Sequence, residues 1–473
     1  MEEQMNKAND KLYLFESMPV PKAIFTMVIP TVISQIITLI YNLSDTFFIG
    51  RTGDSYMLAG MSVCYTIVIL AITFNNLFGV GAGTLISRLD GKGQHDRARI
   101  ASTIAFYGVI TAAVIYSIVI WIFLDPILYA LGASSLTIDY ARQYAMIVVV
   151  AGTLPSILST TIAHLLRNVG YSKQASIGLS GGGILNIILD PLFMFVILPE
   201  GQEVFGAAIA TLISNSLACI FLLYQFFKLS RTTSLCSNVK ILKKAAAEDL
   251  KNVLMSGLPS ALLFCLFDIA NMFMFSLMSQ YSDLSIAAIG MVVKIERLPT
   301  QVGVAIAQSL MPLISYSYGS KNFTRMSDII NRGRIYGIIT TLSCVILYQI
   351  FAEPLCNFFL STTGGYIETS LVTISLAVTY LRIRSVASPL MFLNYHSSFA
   401  LQAMGSIKRA LIHTCIRVLV LTIPFLHLFD HFWHDSGLCA ALPASESISC
   451  IIALLLLSSR VKTILKTKNE KAL

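Results

Sequence analysis

The sequence predicts an all-α polytopic membrane protein, its twelve transmembrane helices forming two six-helix lobes related as parallel repeats. Three observations predict it. The 473 residues are 55% hydrophobic and only 12% charged, with a mean hydropathy of +0.74, whereas soluble domains carry about 25% charged residues. Apolar runs near or above the roughly 20 residues needed to cross a bilayer recur along the chain. Basic residues collect in alternate connecting segments, as the positive-inside rule demands.

The runs fall, in order, at 22–49, 56–87, 101–124, 140–163, 176–198, 204–227, 252–279, 284–314, 335–352, 370–401, 407–429 and 437–458. Before the first, MEEQMNKANDKLYLFESMPVPKA has neither the basic n-region nor the short apolar core of a signal peptide. Residues 12–25 are expected to form a short interfacial segment leading into span 1.

One set of alternate segments holds most of the 33 Lys and Arg, including Arg88, Lys92, Arg97 and Arg99 in one loop and Lys240, Lys243 and Lys244 in another. The opposite set holds only Arg51 and, at a span edge, Arg142. Both termini are therefore expected in the cytoplasm, in a multi-pass plasma (inner) membrane protein. A missed span would scramble this alternation. The net charge of +8 is thus topology, and no nucleic-acid partner is implied. The nine cysteines lie mostly in spans with no CxxC pair, so they read as apolar packing residues rather than a disulfide or zinc framework.

The second half repeats the first. ISRLDGKGQHDR (86–97) and ISYSYGSKNFTR (314–325) share Ile, Ser, Gly and Arg in order, as LRNVGYSKQA (166–175) and LQAMGSIKRA (401–410) share Leu, Gly, Lys and Ala. GAAIATLISNSLACI (206–220) aligns with GLCAALPASESISCI (437–451), and Pro30 nearly matches Pro259. Six spans is an even number, so both halves enter the membrane the same way up, a recurrent transporter plan. The expected division is an N-terminal lobe at 1–235, a basic cytoplasmic linker at 236–251 and a C-terminal lobe at 252–473.

Asp45 in span 1 and Asp190 in span 5 are the residues that most need explaining. A carboxylate in hydrocarbon costs about 2.5–3.5 kcal/mol on insertion scales and marks a functional site by default. Both spans run outward, and a 1.5 Å rise per residue puts the two roughly 7 and 12 Å below the outer boundary. Asn186 and Asp190, at i and i+4, share a helix face. Pro191 removes a backbone donor and frees the Ile187 carbonyl. Two carboxylates and an amide oxygen suit sodium, or the acid pair could share a proton as a coupled dyad. Pro30, in the helix of Asp45, is the leading candidate for a gating bend, with Pro191 beside the second acid.

Asp268, Glu296 and Glu446 also lie in spans, among Lys294, Arg297, Arg382, Arg384 and Arg417. Mutual ion pairing is the plainer reading, although they are C-lobe candidates for contacting substrate or a proton. No carboxylate stands at the position matching Asp190, which is Phe425, so coupling is expected in the first lobe alone. His427, His431 and His434, beside Asp430 and Asp435, have a spacing that could bind a metal but read better as a wet loop cluster. No metal site is expected.

Several stretches resemble the multidrug and toxic compound extrusion (MATE) family: YNLSDTFFIGRTG (41–53), GVGAGTLISRLDGKGQHDRAR (79–99), NIILDPLF (186–193), GAAIATLIS (206–214), GVAIAQSLMPLISYSYGSKN (303–322) and LPASE (442–446). The resemblance covers about 440 residues. It implies antiport of organic cations, drugs or toxic metabolites against Na+ or H+ by alternating access, with no cofactor beyond the coupling ion. It places Asp45, Asn186 and Asp190 in the N-lobe cation site and adds Thr211 on span 6. The expected partners are a cationic, amphiphilic small molecule and membrane lipid, and the expected state is a monomer. The nearest alternative is a flippase for lipid-linked sugars or peptidoglycan precursors, which would need a basic cavity. A membrane-embedded enzyme would need a nucleophile or a His/Asp pair, and His164 and His396 have no acidic neighbour in sequence. A passive channel is disfavoured by the two-lobe repeat.

Overall fold

The computed structural model describes residues 12–52, 54–361 and 367–470. They are helical with no strand among them. Helices satisfy their backbone groups within each segment, as a spanning segment requires. The spanning helices are α1 (Val20–Gly50), α2 (Tyr56–Gly91), α3 (His95–Ile122), α4 (Ile138–Ala151 and Thr153–Asn168), α5 (Ser172–Ile197) and α6 (Glu203–Leu229). They continue as α7 (Ala247–Met278), α8 (Asp283–Gly319), α9 (Phe323–Phe358) and α10 (Leu371–Ser385 and Ser388–Ala403). Residues 407–433 make α11 and 435–466 make α12.

By length and composition alone, eight helices among the described residues can cross a membrane, or ten counting the bent pairs α4 and α10. The two remaining spans have physical explanations. Ile407–Lys466 is one continuous helix by hydrogen bonding but turns at His434 (φ 54°, ψ −139°), a conformation no α-helix contains. It therefore holds two spans. α8 is long enough but carries Lys294, Glu296 and Arg297 at mid-length, which only a buried partner makes tolerable.

The repeat is visible in the bends. α4 turns by 47° and α10, its counterpart, by 41°. A Cβ at Gly152, the break in α4, would lie 2.5 Å from the Val148 carbonyl oxygen, so the bend requires glycine there. α5 and α11, also counterparts, both contain π-helical turns, at Phe193–Ile197 and Ile416–Thr422.

The chain forms two compact units. The first holds Ile29–Ala261 and the segment before Pro19, the second Pro19–Val28 and Leu262–Leu473. The division falls inside α1 and α7, within three residues of Pro30 and Pro259 respectively. The core of the first unit joins α2, α3, α4 and α6 through Ile86, Ile104, Leu165 and Phe226. That of the second includes Met278, Val292, Tyr380, Leu381 and Leu438. Large apolar side chains also cover the exterior, among them Ile115, Trp121, Val196, Ile220 and Leu455, each more than half exposed. A water-soluble surface would not tolerate this, and a lipid-facing one requires it.

Two local boundaries move. Within residues 12–25, expected as a short interfacial segment, α1 already begins at Val20. Tyr13–Ser17 is one π-helical turn with Leu14 and Phe15 buried, and both pack beside Gly170. The run at 335–352 belongs to a helix that starts twelve residues earlier, because Arg325, Arg332 and Arg334 depress hydropathy without interrupting the hydrogen bonding.

Candidate functional site

α1 and α5 bring Asp45 and Asp190 together inside the first unit. Asp190 is 0% exposed and Asp45 8%. The two carboxyl groups lie close enough to interact directly. Asn186, one turn earlier on α5, donates from Nδ2 to Asp190 Oδ1 at 3.1 Å and to Thr211 Oγ1 at 3.3 Å. α6 therefore supplies the fourth expected member of the cluster.

The oxygen atoms left over define the chemistry. Asp45 Oδ1, Asp190 Oδ2 and Asn186 Oδ1 are all buried with no hydrogen-bond donor. A buried acceptor without a donor costs about 1–3 kcal/mol, and more if charged. Three such acceptors on neighbouring side chains constitute a hard-oxygen set that a cation would satisfy. Protonation of one carboxyl would relieve part of the same cost, so the set suits either a small metal cation or a proton.

Pro191 lies within α5, immediately after Asp190, and the helix passes into the π-helical turn two residues later. Pro30 lies within α1, fifteen residues before Asp45. Residues the sequence reading missed complete the surroundings. Tyr41 and Tyr144 sit close enough to Asp45 and Asp190 to feel both charges. A small chamber of about 100 Å³ adjoins the cluster and is lined by Gln35, Thr38, Tyr41, Ser159, Asn186 and Thr211, among others. Gln35, Thr38, Tyr41 and Asp45 recur at helical spacing on α1, a signal a periodicity search for polar rather than apolar residues would have found.

The second unit treats its acids differently. Arg384 Nε donates to Glu296 Oε2 at 2.9 Å, and Arg417 Nε donates to Glu446 Oε1 at 2.9 Å. Asn394 Nδ2 adds a second donor to Glu446 at 2.6 Å, while the Arg417 guanidinium lies 4.4 Å from the centre of the Tyr395 ring. Asp268 is half-buried, with Arg297 near enough to exert a charge effect. All three belong to the second unit, and two of them, Glu296 and Glu446, are in ion pairs. Asp430 and Asp435 accept from Tyr281 and Tyr380, both at 2.5 Å. Among the described residues no three His, Cys, Asp or Glu side chains converge as a metal site.

Comparison with known proteins bears on the whole chain. The MatE family model matches residues 30–192 and 259–428, one block in each half. The chain belongs to the MatE family. It is 28% identical over 448 residues to the multidrug export protein MepA of Staphylococcus aureus, covering 95% of this chain and 96% of that protein. A MepA from Staphylococcus haemolyticus is 26% identical over 451 residues. Among solved structures, a crystal structure of MATE in complex with MaL6 superposes with a TM-score of 0.89 at 23% identity, over 96% of this chain and 99% of that one. An outward-facing multidrug resistance MATE family transporter of the MOP superfamily gives 0.88 at 24%, over 96% and 98%. These structures share the fold of this MATE protein, a multi-pass helical membrane transporter.

Proposed function

We propose that this protein is an ion-coupled antiporter of the plasma membrane that exports organic cations, drugs or toxic metabolites by alternating access. The supporting observation is the set of three donorless oxygens on Asp45, Asn186 and Asp190 beside a small chamber. An ion held there satisfies a cost the folded protein otherwise bears. Substrate export follows if the ion favours one access state over the other, since a ligand shifts an equilibrium only by its differential affinity. Pro30 and Pro259 stand where α1 and α7 pass between the units, which suits them to carry the change in helix direction.

In this reading the coupling ion is Na+ or H+, and the first lobe alone holds it. The second lobe's Glu296 and Glu446 are structural, leaving Asp268 as its candidate for contact with a cationic substrate. The chamber lining has no Lys or Arg, so it does not offer the basic cavity that a pyrophosphate-bearing substrate would need. The kinship with multidrug export proteins supports export of amphiphilic small molecules. The alternation of basic loops supports cytoplasmic termini.

The test is efflux of a cationic dye from proteoliposomes under imposed Na+ or H+ gradients. Wild-type protein should respond to one gradient, and Asp190→Asn should lose the response while eluting as folded protein. Undiminished gradient-driven efflux by Asp190→Asn would overturn the first-lobe mechanism.

A further inference from the structure

The chain after α6 does not leave the first unit as a free tether. Leu235 is fully buried and Cys236 nearly so. The Cys236 amide donates to Ser102 Oγ at 2.9 Å, and the Ser102 and Thr103 hydroxyls donate to the Cys236 carbonyl at 3.1 and 3.2 Å. Tyr107 Oη donates to the Ser237 carbonyl at 2.8 Å, and Ser234 donates to the Asp90 carboxylate. Asn238 then caps the short helix Val239–Leu242, and Ala245 returns to the core. Residues 234–245 are thus a strap tied to the first turns of α3, after the turn at 92–94.

The height of this strap is fixed by aromatic contacts. Phe106, next to Tyr107, stacks on Phe226 at 5.3 Å and meets Phe227 edge-on at 6.2 Å. Phe227 and Tyr224 are half exposed or more on the outer surface of α6, and Lys228 Nζ lies 5.7 Å from the centre of the Tyr224 ring. Exposed aromatics with a lysine at the end of an apolar helix mark the interfacial belt of a membrane protein. Tied to Tyr107, the strap lies at that belt. There it presents Val239 (53% exposed) and Leu242 (37%) among the exposed Lys240, Lys243 and Lys244.

A solvated charge run has no use for exposed Val and Leu. An acidic protein or nucleic acid would neutralise the lysines but leave the exposed apolar pair uncovered. The boundary of an anionic leaflet meets both needs, as headgroup phosphates attract lysines and the acyl region accepts short apolar side chains.

We propose that the strap is a docking site for anionic phospholipid, with Lys228, Lys240, Lys243 and Lys244 on the headgroup phosphates and Val239 and Leu242 in the acyl boundary. The strap leads directly into α7, so its lipid contact fixes the entry of the second half of the chain into the membrane.

The experiment places one reporter tryptophan on the strap, Val239→Trp in a W121F/W433F background, in the full-length protein reconstituted into vesicles. Quenching by brominated phosphatidylglycerol should exceed quenching by brominated phosphatidylcholine several-fold. K240Q/K243Q/K244Q should abolish that bias, while K92Q/K321Q/K408Q, which removes the same charge elsewhere, should preserve it. Equal quenching by the two lipids, or equal loss of bias in both triple variants, would overturn the proposal. So would a tryptophan that responds only to water-soluble quencher, because the strap would then face water or another acidic partner. Elution of each variant at the wild-type position separates these outcomes from misfolding.

Discussion

Asn186 Nδ2 donates to Asp190 Oδ1 at 3.1 Å across one turn of α5, and the same nitrogen reaches Thr211 on α6 at 3.3 Å. The amide's own oxygen is buried without a donor. The side chain both orients the carboxylate and supplies an acceptor, so truncating it removes two contributions together.

Asn186→Ala should therefore weaken ion binding more than loss of a single ligand. A hydrogen bond to a charged group contributes about 1.5–3 kcal/mol, which corresponds to a tenfold or greater rise in the half-saturating ion concentration. Initial rates of dye efflux against ion concentration give this value directly. An unchanged half-saturation point would remove Asn186 from the site.

Thr211 separates hydroxyl chemistry from packing. Thr211→Val keeps the shape but leaves Asn186 Nδ2 with one acceptor fewer, and should raise the half-saturating concentration by a few-fold to about tenfold, the worth of one net hydrogen bond. Thr211→Ser should stay within twofold of wild type. If the Ser variant is as impaired as the Val variant, the methyl group and not the hydroxyl matters.

Glu446 and Arg417, 1% and 2% exposed, predict a contrast between single and double substitutions. Removing one partner of a buried ion pair leaves an uncompensated charge and costs about 3–5 kcal/mol. Glu446→Gln and Arg417→Met should each lower the melting temperature in detergent, whereas the double variant E446L/R417M should recover much of the loss. A double variant as unstable as the sum of the singles would mean that the two residues act independently.

How far the sequence carries depends on what kind of contact makes each feature. Asp45 and Asp190 stand out because charge in an apolar run is conspicuous in one dimension, and i, i+4 spacing places Asn186 with Asp190 on a single helix. Pairing Glu296 with Arg384 and Glu446 with Arg417 joins residues 88 and 29 positions apart. Eight charges, three acidic and five basic, are compatible with several pairings and left that choice open. Tyr144 and the chamber walls on α4 are invisible for the same reason, since only tertiary packing brings them beside α1. The bend at Gly152 and the break at His434 depend on local backbone geometry that hydropathy does not register.

Tyr281, in the turn between α7 and α8, donates to Asp430 Oδ1 at 2.5 Å, and this bond to the carboxylate, helped by partial burial, pushes its phenol up to about 12 from 10. The folded state favours the neutral phenol, so this stabilisation is complete below pH 10 and is lost as pH rises from 10 to about 12. Difference absorbance of wild type against Tyr281→Phe should show one late-ionising phenolate in that window. A difference spectrum that titrates near pH 10 would show that the bond does not form.

Gly257 carries the sharpest packing prediction. A Cβ there would lie 2.0 Å from the Leu77 carbonyl oxygen and 2.7 Å from its carbon, and a Cβ at Gly81 would meet Val253 O and Gly257 N at 2.6 and 2.7 Å. The obstacles are backbone atoms, so no rotamer change relieves them and α2 must separate from the first turns of α7. Overpacking of this kind costs about 1–3 kcal/mol, and Gly257→Ala should lower the melting temperature accordingly. Gly290→Ala is the matched control, because its Cβ meets nothing within 4 Å and alanine improves helix propensity by up to about 1 kcal/mol. It should melt at or above the wild-type temperature. Equal melting of the two alanine variants would show that α2 and α7 do not approach as closely as Leu77 and Gly257 require.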